Sequence, residues 1–274
     1  MNSLIINAIK ILKKYHIENA SALCFYLLEE KYNLKKESFF INSKAILSKK
    51  KIHSFLKDIH LLSQHMPIDY ILESTHFMNS IYKVKKGVLI PRPETEILIR
   101  ESIKFIKKTK IKHIVEIGCG SGIISCELAK VFPKTPIYSW DISKKAIETS
   151  KENAKNFNLK NIQFFNESAF SSSILTKYLK EDTLLISNPP YISRSETHLM
   201  DPSVLKYEPK RALFSGDNGL AFIKKLIQLA STYKHSLFFE MGIYQASKLK
   251  KIYPNILCYK DQQNINRIAY FKPR

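Results

Sequence analysis

Apolar side chains recur along the first 74 residues with the three- and four-residue spacing of helices. Leu4, Ile5, Ala8, Ile9 and Leu12 form one stripe, Ala22, Leu23, Tyr26 and Leu27 a second, and Ile52, Phe55, Leu56 and Ile59 a third. The segment has no glycine and a single proline, Pro67, which predicts a small bundle of short helices. Over 76–90 the pattern changes. Phe77, Ile81, Tyr82, Val84, Val88 and Leu89, broken by Lys85-Lys86-Gly87, predict a short β-hairpin joining the bundle to the remainder of the chain.

From residue 91 the two periods alternate. Helices are expected over 94–107, 123–131, 144–157, 219–233 and 244–252. Strands are expected over 112–117, 136–140, 162–165, 183–187 and 236–241, with two more in 256–271. Strands alternating with helices predict an α/β domain with a mostly parallel, Rossmann-like sheet covered on both faces. The chain thus divides into 1–74, 75–90 and 91–274, and 274 residues suffice for one medium domain and one small one.

Composition narrows the classes. No apolar run is long enough to cross a bilayer. The opening MNSLIINAIKILKKYH lacks the ordered parts of a secretory signal, and its lack of arginine argues against a mitochondrial presequence. Cys24, Cys119, Cys126 and Cys258 show no C-x-x-C spacing and no companion histidines, so reduced cytoplasmic thiols are expected, with no metal site and no disulfide framework. Cys119 reads as a small filler in its loop. The formal charge of +20 goes with abundant Lys, Ile, Asn, Phe and Tyr and scarce glycine. The lysines are scattered, which is the mark of compositional bias; the alternative is unspecific electrostatic help in reaching an anionic target.

Three of the seven glycines fall in Gly118-Cys119-Gly120-Ser121-Gly122, between the strand ending at Ile117 and the helix opening at Ile123. Glycine there permits close approach of a ligand to the backbone, at the strand ends where open α/β sheets bind ligands. The spacing is not G-x-G-x-x-G, and no G-K-[ST] comes after it, which excludes a phosphate loop of that kind. The next strand ends at Asp141, placed to accept hydrogen bonds from both hydroxyls of a ribose. Glu116 is placed to hold an ammonium group, directly or through water. A ribose and an ammonium without phosphate fit S-adenosylmethionine; the competing reading is an ordinary tight strand-to-helix turn with a solvated aspartate.

The strand over 183–187 runs into Asn188-Pro189-Pro190-Tyr191. Two prolines remove backbone donors and force extended angles. Rigid carbonyls and the Asn188 side-chain oxygen can therefore grip both N–H groups of an –NH2, with Tyr191 packed on a flat amide or base. Such a turn, downstream of the glycine loop, points to methyl transfer onto a planar nitrogen. Taken alone, it also reads as a proline-rich strand terminator.

These motifs resemble the HemK/PrmC-type peptide chain release factor glutamine methyltransferases. The resemblance runs from 66 to 271. It includes Met66-Pro-Ile-Asp-Tyr-Ile-Leu72, Leu89-Ile-Pro-Arg-Pro-Glu-Thr-Glu96, Glu208-Pro209 with Ala212-Leu213, Gly216-Asp217-Asn218-Gly219-Leu220, Glu240-Met241-Gly242 with Gln245, and Asp261 with Arg267. The family implies a class I S-adenosylmethionine-dependent methyltransferase. It would be a cytoplasmic monomer that methylates the Gly-Gly-Gln glutamine of class 1 release factors at the side-chain nitrogen, with no nucleic acid or membrane required. By this resemblance Glu116, Gly118, Cys119, Gly120, Ser121, Gly122, Asp141 and Asn188 hold the cofactor. Asn188, Pro189, Pro190 and Tyr191 hold the glutamine and make up the catalytic turn. Arg92, Pro93 and Glu94 line the site mouth or else simply start a helix. The bundle over 1–74 orients the substrate, 75–90 links, and 91–274 catalyses. The chain departs from the family in carrying Glu73 and Asn264 where glycine is usual, and Ser168-Ala169 where an acidic residue usually stands beside the adenine, with Phe170 as a candidate apolar wall or core residue. Two other readings compete: an adenine-N6 methyltransferase of DNA or RNA, and a non-catalytic cofactor-binding module.

Overall fold

The computed structural model describes residues 2–35 and 47–273; the part of the expected helical segment at 36–46 lies outside them. Two compact units are present: Met1–Ser74 with Asp201–Tyr207, and Thr75–Met200 with Glu208–Arg274.

The first unit contains α1 (Asn2–Lys14), α2 (Ala20–Tyr32), α3 (Lys49–Ser63) and the single turn α4 (Ile68–Leu72). Ile5, Ala8 and Leu12 of α1 meet Leu27 and Leu28 of α2 and Phe55, Ile59 and Leu62 of α3 in one core. The inward face of α2 differs from the expected one: Cys24 is buried, and Ala22 is exposed. Leu56 of α3 is exposed as well. Apolar residues ring most of α2, so spacing alone does not choose its inner face. One polar group is buried with its partners. Asp58 accepts from Tyr32 Oη at 2.6 Å and from Lys31 Nζ at 3.0 Å, which satisfies both carboxylate oxygens.

The second unit starts with the hairpin β1 (Ser74–Phe77) and β2 (Ser80–Lys83). Its turn is at Met78-Asn79, with Met78 at φ 50°. It is not at Lys85-Lys86-Gly87, which forms a separate turn closed by Val88 N to Lys85 O at 2.9 Å. The next elements are α5 (Thr95–Lys108), β3 (His113–Ile117), α6 (Ile123–Val131), β4 (Ile137–Trp140), α7 (Lys144–Asn156), β5 (Ile162–Phe165) and β6 (Thr183–Ser187). Then come α8 (Pro202–Tyr207), which groups with the first unit, and α9 (Lys210–Leu213). The chain ends with α10 (Ala221–Thr232), β7 (Ser236–Glu240), α11 (Ala246–Ile252), β8 (Ile256–Lys260) and β9 (Asn266–Phe271). The sequence pattern predicts neither α8 nor α9.

The seven strands are ordered β5-β4-β3-β6-β7-β9-β8. All pairs from β5 through β7 are parallel, and β9 lies antiparallel between β7 and β8. Successive side chains on a strand face opposite ways. Val115, Ile117, Leu185, Leu237 and Phe239 accordingly enter one core, and Ile114, Leu184, Ile186 and Phe238 the other. Both faces are covered, as the near-continuous apolar strands require. The chain leaves β3 for β4 and β5 on one side and returns for β6 and β7 on the other. The order therefore reverses between β3 and β6, and a crevice opens at their carboxyl ends.

Candidate functional site

The register Glu116↔Ile186 brings the end of β3 alongside the end of β6. Ser187 Oγ donates to Ile117 O at 2.6 Å and ties the two ends together. The glycine loop and the Asn188 turn, far apart in sequence, are thereby neighbours. Between them is a cavity of about 380 Å³ lined by Gly118, Gly120, Asp141, Asn188 and Pro190, among others.

Gly118 and Gly120 adopt φ of 79° and 56°, and a Cβ built on either meets no atom within 4 Å. Their missing side chains leave the backbone bare beside open space. Asp141 Oδ2 accepts from Gly120 N at 2.9 Å, and Oδ1 from Ser143 N at 2.8 Å. Burial pushes its carboxyl up, against the opposing pull of those two N–H groups and of Arg211. Its remaining lone pairs are what the cavity receives. Ser143 also caps α7 by accepting from Ala146 N, so this wall is braced by a helix start.

The other loop residues serve the frame. Gly122 packs against α7, where a Cβ would come within 2.9 Å of Ser150 Cβ. Cys119 is buried with Sγ 3.5 Å from Ser150 Oγ, and burial pushes its thiol well up. Ser121 offers its carbonyl to Asn153 Nδ2 at 2.9 Å. Glu116 points away beneath the loop, taking hydrogen bonds from Ser125 Oγ and from Ser139 Oγ. Its Oε1 is buried without a partner, and burial pushes its carboxyl up to about 8. The oxygen left without a partner is the one that an ammonium group, directly or through water, would have to meet. None of Glu116, Cys119, Ser121 or Gly122 lines the cavity.

The turn at 188–191 divides similarly. Asn188 and Pro190 line the cavity, while Pro189 and Tyr191 do not. Tyr191 Oη donates to Glu240 Oε1 at 2.9 Å, which anchors the ring by its hydroxyl. Gln245 Nε2 donates to Tyr191 O at 2.8 Å. Arg92 and Glu94 are engaged elsewhere: Arg92 Nη2 meets Glu208 Oε1 at 2.5 Å, and Glu94 lies 3.7 Å from Arg267. Arg92, Pro93 and Glu94 are not cavity residues.

Ser168, Ala169 and Phe170 do line the cavity. Beside them stands Glu167, which no sequence motif singles out; its Oε1 accepts from Ser172 Oγ at 2.6 Å and Trp140 Nε1 at 3.3 Å. Arg211 and Phe222 complete this wall. They come from α9 and α10, and no local motif marks them. An apolar slot bounded by Ile142, Ala169 and Phe170, a carboxylate at Asp141 and two bare glycines fit a flat base carrying a ribose. Among the described residues no group of three or more His, Cys, Asp or Glu is placed to hold a metal, and no helix is long and apolar enough to cross a membrane.

Residues 3–72 match the family described as the PrmC N-terminal domain, and 95–218 match the methyltransferase small domain. A release factor glutamine methyltransferase of Clostridium botulinum is 33% identical over 98% of this chain and 97% of its own length. One from Mycoplasma mycoides is 32% identical over 95% and 93%. Among solved structures, the hMettl16 catalytic domain in complex with a MAT2A 3'UTR hairpin shares the fold. Its TM-score is 0.54, at 13% identity, over 78% of this chain and 91% of that one.

Proposed function

The chain belongs to the release factor glutamine methyltransferase family, and from that premise we propose how its cavity serves the reaction. It is an S-adenosylmethionine-dependent methyltransferase, and its substrate is the glutamine of the Gly-Gly-Gln loop in class 1 release factors, methylated on the side-chain nitrogen. The observation that carries this reading is that Asn188 and Pro190 line the same cavity as Gly118, Gly120 and Asp141.

Gly118 and Gly120 let the cofactor lie against the backbone, Asp141 accepts from its ribose, and Ile142, Ala169 and Phe170 flank its base. When bound, S-adenosylmethionine supplies a methyl group already activated by the sulfonium. The chain's own task is to present the nitrogen. Pro189 and Pro190 have no N–H, so this part of the turn offers the substrate only acceptors. Asn188 Oδ1 and the turn's carbonyls hold the N–H groups of the glutamine, fix the face of the nitrogen, and take up the positive charge that develops on it. An amide nitrogen is a weak nucleophile, and this charge stabilisation is what it needs most.

The unit at 1–74 orients the release factor, 75–90 links, and 91–274 catalyses. The enzyme acts as a cytoplasmic monomer and needs no nucleic acid. The adenine-N6 alternative has no comparable support from relatives spanning the whole chain. The test is to incubate the protein with a class 1 release factor and methyl-labelled cofactor, then map the label by mass spectrometry. Label on the Gly-Gly-Gln glutamine is expected. Asn188→Ala should lower turnover by about 100-fold or more while still binding S-adenosylhomocysteine. Absence of label on that glutamine with the unaltered protein refutes the reading.

A further inference from the structure

A chain of hydrogen bonds runs behind the cavity wall. Asn188 Nδ2 donates to Thr95 Oγ1 at 3.0 Å, and Thr95 Oγ1 donates to Glu240 Oε2 at 2.7 Å. The other oxygen of Glu240 accepts from Tyr191 Oη. Thr95 is the first residue of α5 and Glu240 the last of β7, and both are about 1% exposed. Neither lines the cavity. These two residues therefore have no route to solvent, and each must be satisfied by its neighbours in the chain.

We infer that Thr95 and Glu240 are positioning residues that set the Asn188 amide with its oxygen toward the substrate, and that this orientation makes the site select an amide over a carboxylate. The argument is directional. A hydroxyl has one proton to give. Ionised Glu240 can only accept, so the Thr95 proton goes to it, and the Thr95 lone pairs are left for Asn188. Only the nitrogen of Asn188 can answer a lone pair. Its Oδ1 is thus turned to the cavity, beside a turn whose prolines offer no donor. A glutamine –NH2 meets acceptors, whereas a glutamate oxygen at the same place meets only other oxygens. Sites built around one hydrogen-bonding partner reject the mismatched analogue strongly, because buried polar groups are left unpaired.

The same carboxylate braces both ends of the turn, through Thr95 at Asn188 and directly at Tyr191. Its own charge state matters. Burial, with a smaller push from Glu94, raises Glu240 to about 7 against the pull of Thr95, Tyr191 and Arg267. Burial also holds Tyr191 well above its ordinary value, so Tyr191 keeps its proton and donates. Once protonated on Oε2, Glu240 can donate to Thr95, which reverses the chain and lets Asn188 turn its nitrogen outward.

The inference rests on the reading that Asn188 holds the substrate amide, and the experiment separates the two. The affinity of the full-length protein, loaded with S-adenosylhomocysteine, is measured by calorimetry. The probes are a class 1 release factor bearing Gly-Gly-Gln and its Gln→Glu variant. The unaltered enzyme should prefer the glutamine form, and the preference should shrink as pH falls below about 7. Thr95→Val keeps the shape but removes the hydroxyl, and should reduce the preference about tenfold or more at about pH 8. Thr95→Ser restores the hydroxyl and should keep most of it. A fold defect would weaken both complexes alike and leave the ratio unmoved. If Thr95→Val retains the unaltered ratio, the inference is overturned and the functional reading stands. If the unaltered enzyme shows no preference for glutamine, both fall.

Discussion

Gly120 and Gly122 are two residues apart in one loop, share a left-handed backbone, and should fail in opposite ways when a methyl group is added. At either position alanine bears the strain of positive φ, about 1–2 kcal/mol, partly offset by about 0.4–1 kcal/mol from a stiffer unfolded chain. At Gly120 that is the whole cost to the fold, because the new Cβ meets nothing within 4 Å. The net loss of about 1 kcal/mol should lower the melting temperature by roughly 2–4 °C. The methyl group projects beside the cavity floor, however, where the cofactor must lie close. A clash worth about 1.4–3 kcal/mol would weaken S-adenosylhomocysteine binding by roughly 10- to 100-fold. At Gly122 the Cβ would sit 2.9 Å from Ser150 Cβ and 3.1 Å from Ser150 Cα, so α7 must move. Overpacking adds about 1–3 kcal/mol, for a melting temperature lower by roughly 5–15 °C, with a smaller effect on affinity in the protein that stays folded. Thermal melts and calorimetry on the two variants decide the matter. Gly120→Ala binding within twofold of the unaltered protein, or Gly122→Ala melting like it, refutes the division of labour.

Gly219→Ala should be the most damaging glycine change outside the loop. Its Cβ would fall 2.1 Å from Tyr191 O and 2.6 Å from Gln245 Nε2, breaking the bond that holds the exit of the Asn188 turn; a loss of about 3 kcal/mol or more in denaturant unfolding is expected, and a change under about 1 kcal/mol would contradict this packing. Glu116 gives a pH signature. Burial raises its carboxyl from 4.5 to about 8, so the folded state keeps a proton that the unfolded chain releases. The stability tied to this group is fully present below about pH 4.5 and is lost as pH climbs through about 8, by up to about 5 kcal/mol. Melting temperature should therefore fall between about pH 5 and 9, and Glu116→Gln, which cannot ionise, should fall less steeply; an equal slope in both proteins would assign the loss to other groups.

Much of the sheet is legible in the sequence because its strands announce themselves. Thr183–Ser187 is apolar in its middle and stops at Asn188 and two prolines, and Ile123–Val131 starts at a glycine; both have the bounds that the pattern predicts. The hairpin turn departs from its predicted place because Met78 adopts φ 50° without the glycine that usually marks such a backbone, while Gly87 suggests a turn of the hairpin and makes another. Glu73 and Asn264, the two positions where the resemblance leads one to expect glycine, take positive φ, 55° and 64°, a backbone that their side chains tolerate at a cost. At the site, Gly118, Gly120, Asp141, Asn188 and Pro190 share one cavity, and their clustering follows from strand ends meeting. What the residues behind them do is hidden for the converse reason. Thr95 and Glu240 lie in segments that resemble the family, but they are 145 positions apart, and nothing local to either says that they meet. Glu116 is expected at the cavity from its place near a strand end, but side-chain alternation along β3 turns it to the opposite layer from Val115 and Ile117, and it is not among the lining residues.

The insertion of β9 between β7 and β8 has a consequence for how the molecule comes into being. Glu240 pairs with Ile268, and Met241 N is bonded to Arg267 O at 2.8 Å. The strand over 266–271 is therefore not a trailing edge but an interior slat of the sheet, laid beside the carboxylate that orients the Asn188 turn. A nascent chain that has cleared the ribosome only as far as Lys260 still lacks the partner that β7 and β8 share. The carboxylate behind the Asn188 turn then gains its full setting only after residues 266–271 have been threaded between their two neighbours.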